Sequence, residues 1–276
     1  LVYKNLIETV HKTLDAMYRY LDVRKRKMGV DTLHMYDIYT PIVSESDKRI
    51  SYDEAKDTIL DALAPLGEDY LAVLREGFEN RWIDVYQNEG KRSGAYSAGA
   101  AVHPFVLMNY TGTLDSQFTL AHDMGHALHS YLSNKTQNPV DSRYVIFVAE
   151  VASTVNELLL AHRKLAECKS DEEKLYILNQ LMETYKGTLY RQTMFAEFER
   201  DMHALVEKGE PLTADLINKS FRITVLLYEL LECQSVDNQI AETYVFDLYY
   251  LAGNPVSYRI CDVAYNLWSV EENCFQ

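Results

Sequence analysis

The sequence has no apolar run approaching the ~20 residues that span a bilayer, and it has no excess of positive charge. Of its 276 residues, 27 are Lys or Arg and 41 are Asp or Glu, a net charge of −14. Nucleic acids and anionic membrane surfaces recruit clustered basic side chains, so neither is an expected partner. Cysteine is scarce, with four residues at 168, 233, 261 and 274 and no Cys-x-x-Cys pair. A disulfide framework would be denser and a thiolate metal site would show pairing, so reduced cysteines in a cytoplasmic protein are expected. Ser97 and Ser153 lack the Gly-x-Ser-x-Gly frame of a nucleophile elbow. Gly94 and Gly99 are followed by no Gly-Lys-Ser/Thr, so they form no phosphate loop. The opening Leu1-Val-Tyr-Lys-Asn5 has neither an initiator Met nor a signal-peptide pattern. It reads as the middle of a helix, and the chain is expected to be a fragment of something longer.

What is present is a globular composition, 47% hydrophobic and 25% charged. Leu6, Val10, Leu14, Met17 and Leu21 recur at helical spacing, predicting one amphipathic helix over 1–28 closed by Gly29. Ser51-Tyr-Asp-Glu54 is a capping box opening a helix through Leu63, and another covers Asp69 to Phe78. Between Arg81 and Tyr110 the texture changes. Trp82–Tyr86 and His103–Tyr110 read as strands, and Gly90–Ala100 reads as turns. After Gly112 helices are predicted at 115–133, 144–167, 171–207, 213–232 and 256–271, the third opened by Ser170-Asp-Glu-Glu173. The expected fold is mainly α, with one small antiparallel β-sheet next to the helix 115–133.

That helix carries the chemistry. In His122-Asp-Met-Gly-His126 two imidazoles four residues apart project from one face, one turn apart. They can occupy adjacent corners of a tetrahedral zinc ion. In the usual His-Glu-x-x-His form the Glu is not a ligand but a general base toward water; here that slot holds Asp123. By itself the pair is also compatible with two packed core histidines. A catalytic zinc needs a third protein ligand, and Glu150 offers one, in the apolar context Val-Ile-Phe-Val-Ala-Glu150-Val-Ala. A carboxylate buried there without a partner would be costly, and a metal or a core Arg would remove that cost. Glu157, seven residues on, shares its face and could accept a hydrogen bond from a ligand histidine. His129 extends the group poorly and reads as a packing residue; His11, His34, His162 and His203 are isolated.

Four stretches together resemble oligoendopeptidase F, of the thimet-oligopeptidase-like zinc peptidases. They are Gly94–Ser97, His103–Asp115, Phe118–Tyr131 and Phe147–Glu157. The resemblance runs from about Leu1 to Asp237 and is dense from Arg92 to Glu157. It implies a cytoplasmic, mostly helical peptidase that binds one zinc per chain and cuts short peptides in a deep channel. The whole of 1–276 would then be a single catalytic domain with its zinc-site core at 92–160, without the family's further N-terminal part. By position, His122, His126 and Glu150 match the zinc ligands, and Asp123 matches the catalytic base. The strand His103–Tyr110 resembles the family's edge strand, to which a peptide can add, which makes His103 and Tyr110 candidate substrate contacts. Two departures stand out. Asp123 is shorter than Glu by one carbon–carbon bond, about 1.5 Å. The family also has a later His and several Tyr that bind substrate; here no His follows His203, and Tyr249 or Tyr250 is the candidate hydroxyl donor. The reading is a zinc-dependent metalloendopeptidase acting on short oligopeptides, with a catalytically impaired zinc- or peptide-binding domain as the alternative.

Overall fold

The computed structural model describes residues 2–43 and 49–229. The helix predicted over 1–28 is two helices, α1 (Val2–His11) and α2 (Leu14–Met28). Thr13 breaks it. Its hydroxyl donates to the Val10 carbonyl at 2.9 Å, and its own carbonyl accepts the Ala16 N–H at 3.0 Å and the Tyr190 hydroxyl at 3.1 Å, a tighter local pattern than the α-helical ladder. Gly29 then closes α2 in the left-handed conformation at φ 68°. The N-cap half of the expected capping box is present: Ser51 Oγ accepts the Glu54 N–H at 3.1 Å and opens α3 (Tyr52–Ala62). The helix α4 (Glu68–Glu79) follows.

Three short strands come next, β1 (Ile83–Asp84), β2 (Tyr96–Ala98) and β3 (Phe105–Leu107). Their order is β1-β3-β2. The expected antiparallel sheet is mixed instead. β2 pairs antiparallel to β3, with Ser97 opposite Val106, whereas β1 runs parallel to β3, with Ile83 opposite Val106. Parallel pairing needs a connection long enough to return the chain to its starting end, and residues 85–104 supply it. β2 itself lies inside the stretch read as turns. The strand expected at His103–Tyr110 is therefore central, flanked on both sides, and has no free edge.

Thr113 Oγ1 accepts the Ser116 N–H at 3.1 Å and opens the long helix α5 (Leu114–Thr136). α6 (Ala149–Glu167) packs along it, preceded by a tight turn at Ile146–Val148. The helix predicted over 171–207 is α7 (Asp171–Tyr185), a wider π-turn at Lys186–Tyr190, and α8 (Arg191–Glu207). The buried Lys186 at the head of that turn donates to the Ile38 carbonyl at 3.0 Å and pairs with Glu183. The last described helix is α9 (Ala214–Glu229). The predicted helix 256–271, Cys233, Cys261, Cys274, Tyr249 and Tyr250 lie outside the described residues.

The described residues divide into two compact units, one built from 2–43 with 178–229 and the other from 49–177. The first packs Val10, Leu14, Met17 and Leu21, the apolar stripe legible in the sequence, against Met194, Phe198, Phe221 and Val225. The second holds the sheet and α3 to α6. In it Leu120, Ala121, Met124, Ala127 and Leu128 of α5 are all fully buried. A helix so enclosed holds its remaining side chains in fixed positions, and these include the histidines.

Candidate metal centre

His122 and His126 sit one turn apart on α5, as their spacing predicts, and their Nε2 atoms lie 3.0 Å apart. Glu150, in the first turn of α6, brings Oε2 to 3.3 Å from His122 Nε2 and to 3.3 Å from His126 Nε2. A tetrahedral ion held at ~2.0–2.1 Å by each donor places its donors about 3.3–3.4 Å apart. Three donor atoms at 3.0, 3.3 and 3.3 Å fit that geometry. Among the described residues this is the group of His, Cys, Asp and Glu side chains able to hold a metal ion. Two imidazoles and one carboxylate form a donor set suited to zinc.

Two of the three donors are prepared by a neighbour. His122 Nδ1 hydrogen-bonds Glu157 Oε1. The carboxylate can only accept, so Nδ1 carries the hydrogen and Nε2 presents its lone pair to the centre. Burial pushes the His122 pKa down, but the hydrogen bond and charge of Glu157, with the charges of Glu150 and Asp123, raise it above the ordinary value. For Glu150 the opposing contributions resolve the other way. Burial pushes its pKa up, yet the hydrogen bond and charge of His126, the charge of His122 and the Ser153 hydrogen bond hold it at about 2. Its carboxyl is ionised at neutral pH and ready to serve as a ligand. Ser153 Oγ donates to Glu150 Oε2 at 2.9 Å. Ser153 was not among the sequence candidates, although its place three residues after Glu150 on one helix face was the available signal.

Glu150 is less enclosed than its apolar context suggested. Its side chain is 38% exposed, because the first turn of α6 lies at the surface of the unit and Phe147 and Val151 are exposed beside it. Asp123 is the reverse, with 0% exposure. The group in the general-base slot is thus closed to solvent in this structure.

The two substrate candidates part ways. His103 stacks on Trp82, with planes 3° apart and centroids 5.6 Å apart, and its ring is 4.5 Å from that of Phe105. Tyr110 is buried and donates its hydroxyl to the Ile50 carbonyl at 3.0 Å. That hydroxyl is engaged with a backbone carbonyl, and the ring is part of the packed core of its unit. His129 packs as read, stacked on Tyr144 with centroids 3.7 Å apart and planes 10° apart. Asn156 is a second residue the sequence did not single out. Fully buried, it donates Nδ2 to the Ala121 carbonyl at 3.0 Å and accepts from the Tyr70 hydroxyl at 3.0 Å, tying α6 to α5 and α4.

The profile of Peptidase family M3 matches residues 1–251. Oligopeptidase PepF of Bacillus subtilis is 48% identical over 221 residues, which are 80% of this chain and 33% of that protein. Group B oligopeptidase PepB of Streptococcus agalactiae is 43% identical over 80% of this chain and 37% of its own length. A crystal structure of oligoendopeptidase-F from Enterococcus faecium superposes with a TM-score of 0.63 at 32% identity, covering 95% of this chain and 39% of that one. This chain thus spans between a third and two fifths of the length of the relatives it matches.

Proposed function

This chain belongs to Peptidase family M3, and from that premise we propose that it is the metal-bearing catalytic part of a zinc-dependent endopeptidase acting on short oligopeptides. The observation that carries this reading is the triangle of His122 Nε2, His126 Nε2 and Glu150 Oε2, with sides of 3.0, 3.3 and 3.3 Å. One zinc per chain would be held there. The chemistry such an ion supplies when bound is Lewis-acid activation of a peptide carbonyl and of a water.

The protein's own groups divide the remaining work. Glu157 holds the Nδ1 proton of His122 and so fixes which nitrogen faces the centre. Ser153 fixes the rotamer of Glu150. Asp123, next to His122 in the helix, is the carboxylate that takes a proton from the attacking water and returns it to the leaving amine. For that its oxygens must come within ~2.6–3.2 Å of the water, directly or through one intervening water. An extended peptide adding to the sheet would use β2, whose outer edge has no strand partner among the described residues. Tyr250 keeps its place as the candidate hydroxyl donor. The cytoplasmic assignment rests on the scarcity of cysteine, without a Cys-x-x-Cys motif, and on the family resemblance.

A second reading keeps the metal and loses turnover, and the full burial of the short Asp123 side chain favours it. The experiment is a zinc analysis with cleavage of an internally quenched short peptide on the same sample. About one zinc per chain, lost in His122→Ala, His126→Ala and Glu150→Ala, supports the site. Cleavage then separates the enzyme from the binding domain. Zinc retained in all three variants would remove the assignment.

A further inference from the structure

α5 and α6 meet at Gly125, between the two ligand histidines. A Cβ added there would lie 2.6 Å from Ser153 Cα, 2.8 Å from Ser153 N and 2.9 Å from the Ala152 carbonyl oxygen. All three atoms belong to the α6 backbone, so no side-chain rotation relieves the clash. Ser153 is also the residue that hydrogen-bonds Glu150 Oε2 at 2.9 Å. The two helices therefore approach closely at the level of the three donors, and a hydrogen atom at Gly125 is what permits it.

From this we infer that Gly125 is a positioning residue that sets the metal affinity of the centre, by letting α6 close far enough for Glu150 to meet His122 and His126. The inference rests on the zinc reading above. Restoring ordinary contact around a Cβ at position 125 requires α6 to move outward by about 0.8 Å, since ordinary van der Waals separation begins at 3.4 Å. Metal–ligand distances tolerate about ±0.2 Å. His122 and His126 would stay with α5 while Glu150 departs with α6, so the donor set would lose its third member. The backbone of Gly125 is ordinary helix, and Ala is the better helix former. A loss of affinity in Gly125→Ala would thus come from the helix crossing and not from the helix itself.

A second glycine supplies the control. Gly77 on α4 also faces a crowded neighbour, but an added Cβ there meets the Met124 Cε methyl at 2.7 Å and the Trp82 ring at 3.0 Å, away from the α6 backbone. Gly77→Ala should perturb packing without moving Glu150.

The test measures zinc dissociation constants by chelator competition for the unmodified chain, Gly125→Ala and Gly77→Ala, with the visible spectrum of the cobalt(II)-loaded protein as a readout of coordination geometry. Outer-shell changes at metal sites typically cost 10–100-fold in affinity. A loss of that size in Gly125→Ala with an altered cobalt spectrum, and little change in Gly77→Ala, is the expected result. Equal affinity in Gly125→Ala, or an equal loss in both variants, overturns the inference. If Gly125→Ala does not fold, Asn156→Ala decides, because it releases the tie to Ala121 at the same crossing. Weakened zinc binding in that folded variant supports the inference and unchanged binding overturns it. An unmodified chain that binds no zinc would instead remove the metal reading itself.

Discussion

His122 and Glu157 stand 35 residues apart in the chain and share one hydrogen bond, from imidazole Nδ1 to carboxylate Oε1. The bond crosses from α5 to α6 and selects the tautomer that turns Nε2 toward Glu150. Glu157→Ala should therefore weaken zinc binding about 10–100-fold, with Glu157→Gln intermediate because the amide oxygen can still accept. Chelator competition measures both. Unchanged affinity in Glu157→Ala would show that packing alone orients His122.

Asp123 can be tested without changing its volume. Asp123→Asn is nearly isosteric, so it fits the same enclosed space, but it cannot take a proton. Zinc content should stay near that of the unmodified chain, while hydrolysis of a short peptide falls about 10²–10⁴-fold, the usual range for general acid–base catalysis. The converse change, Asp123→Glu, should raise turnover by restoring reach, at a cost of about 1–3 kcal/mol for overfilling a closed site. If Asp123→Asn cleaves as fast as the unmodified chain, the proton is handled elsewhere.

Tyr110 separates packing from substrate binding. Tyr110→Phe removes the donor to the Ile50 carbonyl and keeps the ring. Stability should fall by about 0.5–1.5 kcal/mol, while KM for a short peptide stays put. A raised KM with unchanged stability would return Tyr110 to the substrate-contact role.

Glu197 gives a pH prediction that does not involve the candidate metal ligands. Burial pushes its pKa up, but hydrogen bonds from Tyr228 and His11, with the charges of His11 and Arg200, hold it below the ordinary 4.5. A depressed folded pKa means stability that is present above the unfolded value and lost as pH falls through the folded one. Urea unfolding from pH 6 to pH 3 should therefore show the unmodified chain losing stability below about 4.5 more steeply than Glu197→Gln. Parallel curves would mean that the carboxylate gains nothing from its partners.

The grouping of His122, His126 and Glu150 was legible in the sequence because its geometry is mostly local. Four residues are one helical turn, which placed His122 against His126. Seven are two turns, which placed Glu157 on the face of Glu150. The sheet was less legible. Whether His103–Tyr110 sits at an edge depends on which strands come to pair with it, and β1 arrives from across residues 85–104, a relation that periodicity does not encode. The hydroxyl of Tyr110 finds Ile50, sixty positions away, by the same kind of distant contact. The break at Thr13 escaped because the apolar stripe continues through it in register. A stripe reports which face is buried; it does not report whether the backbone is continuous.

The parallel pairing of β1 with β3 also sets an expected order of assembly. β2 and β3 are joined by a short connection and can zip together as a hairpin. β1 cannot pair until residues 85–104 have gone out and come back, and that closure costs entropy before any bond repays it. Side chains shorten the excursion: Lys91 Nζ donates to the carbonyls of Asp84 and Tyr86 at 3.0 and 2.7 Å, and Asn109 Nδ2 donates to those of Arg92 and Gly94 at 2.9 and 2.8 Å. Loop-closure entropy therefore predicts that the α5-facing hairpin forms first and that β1 docks last, with the tethers of that loop setting how soon it does.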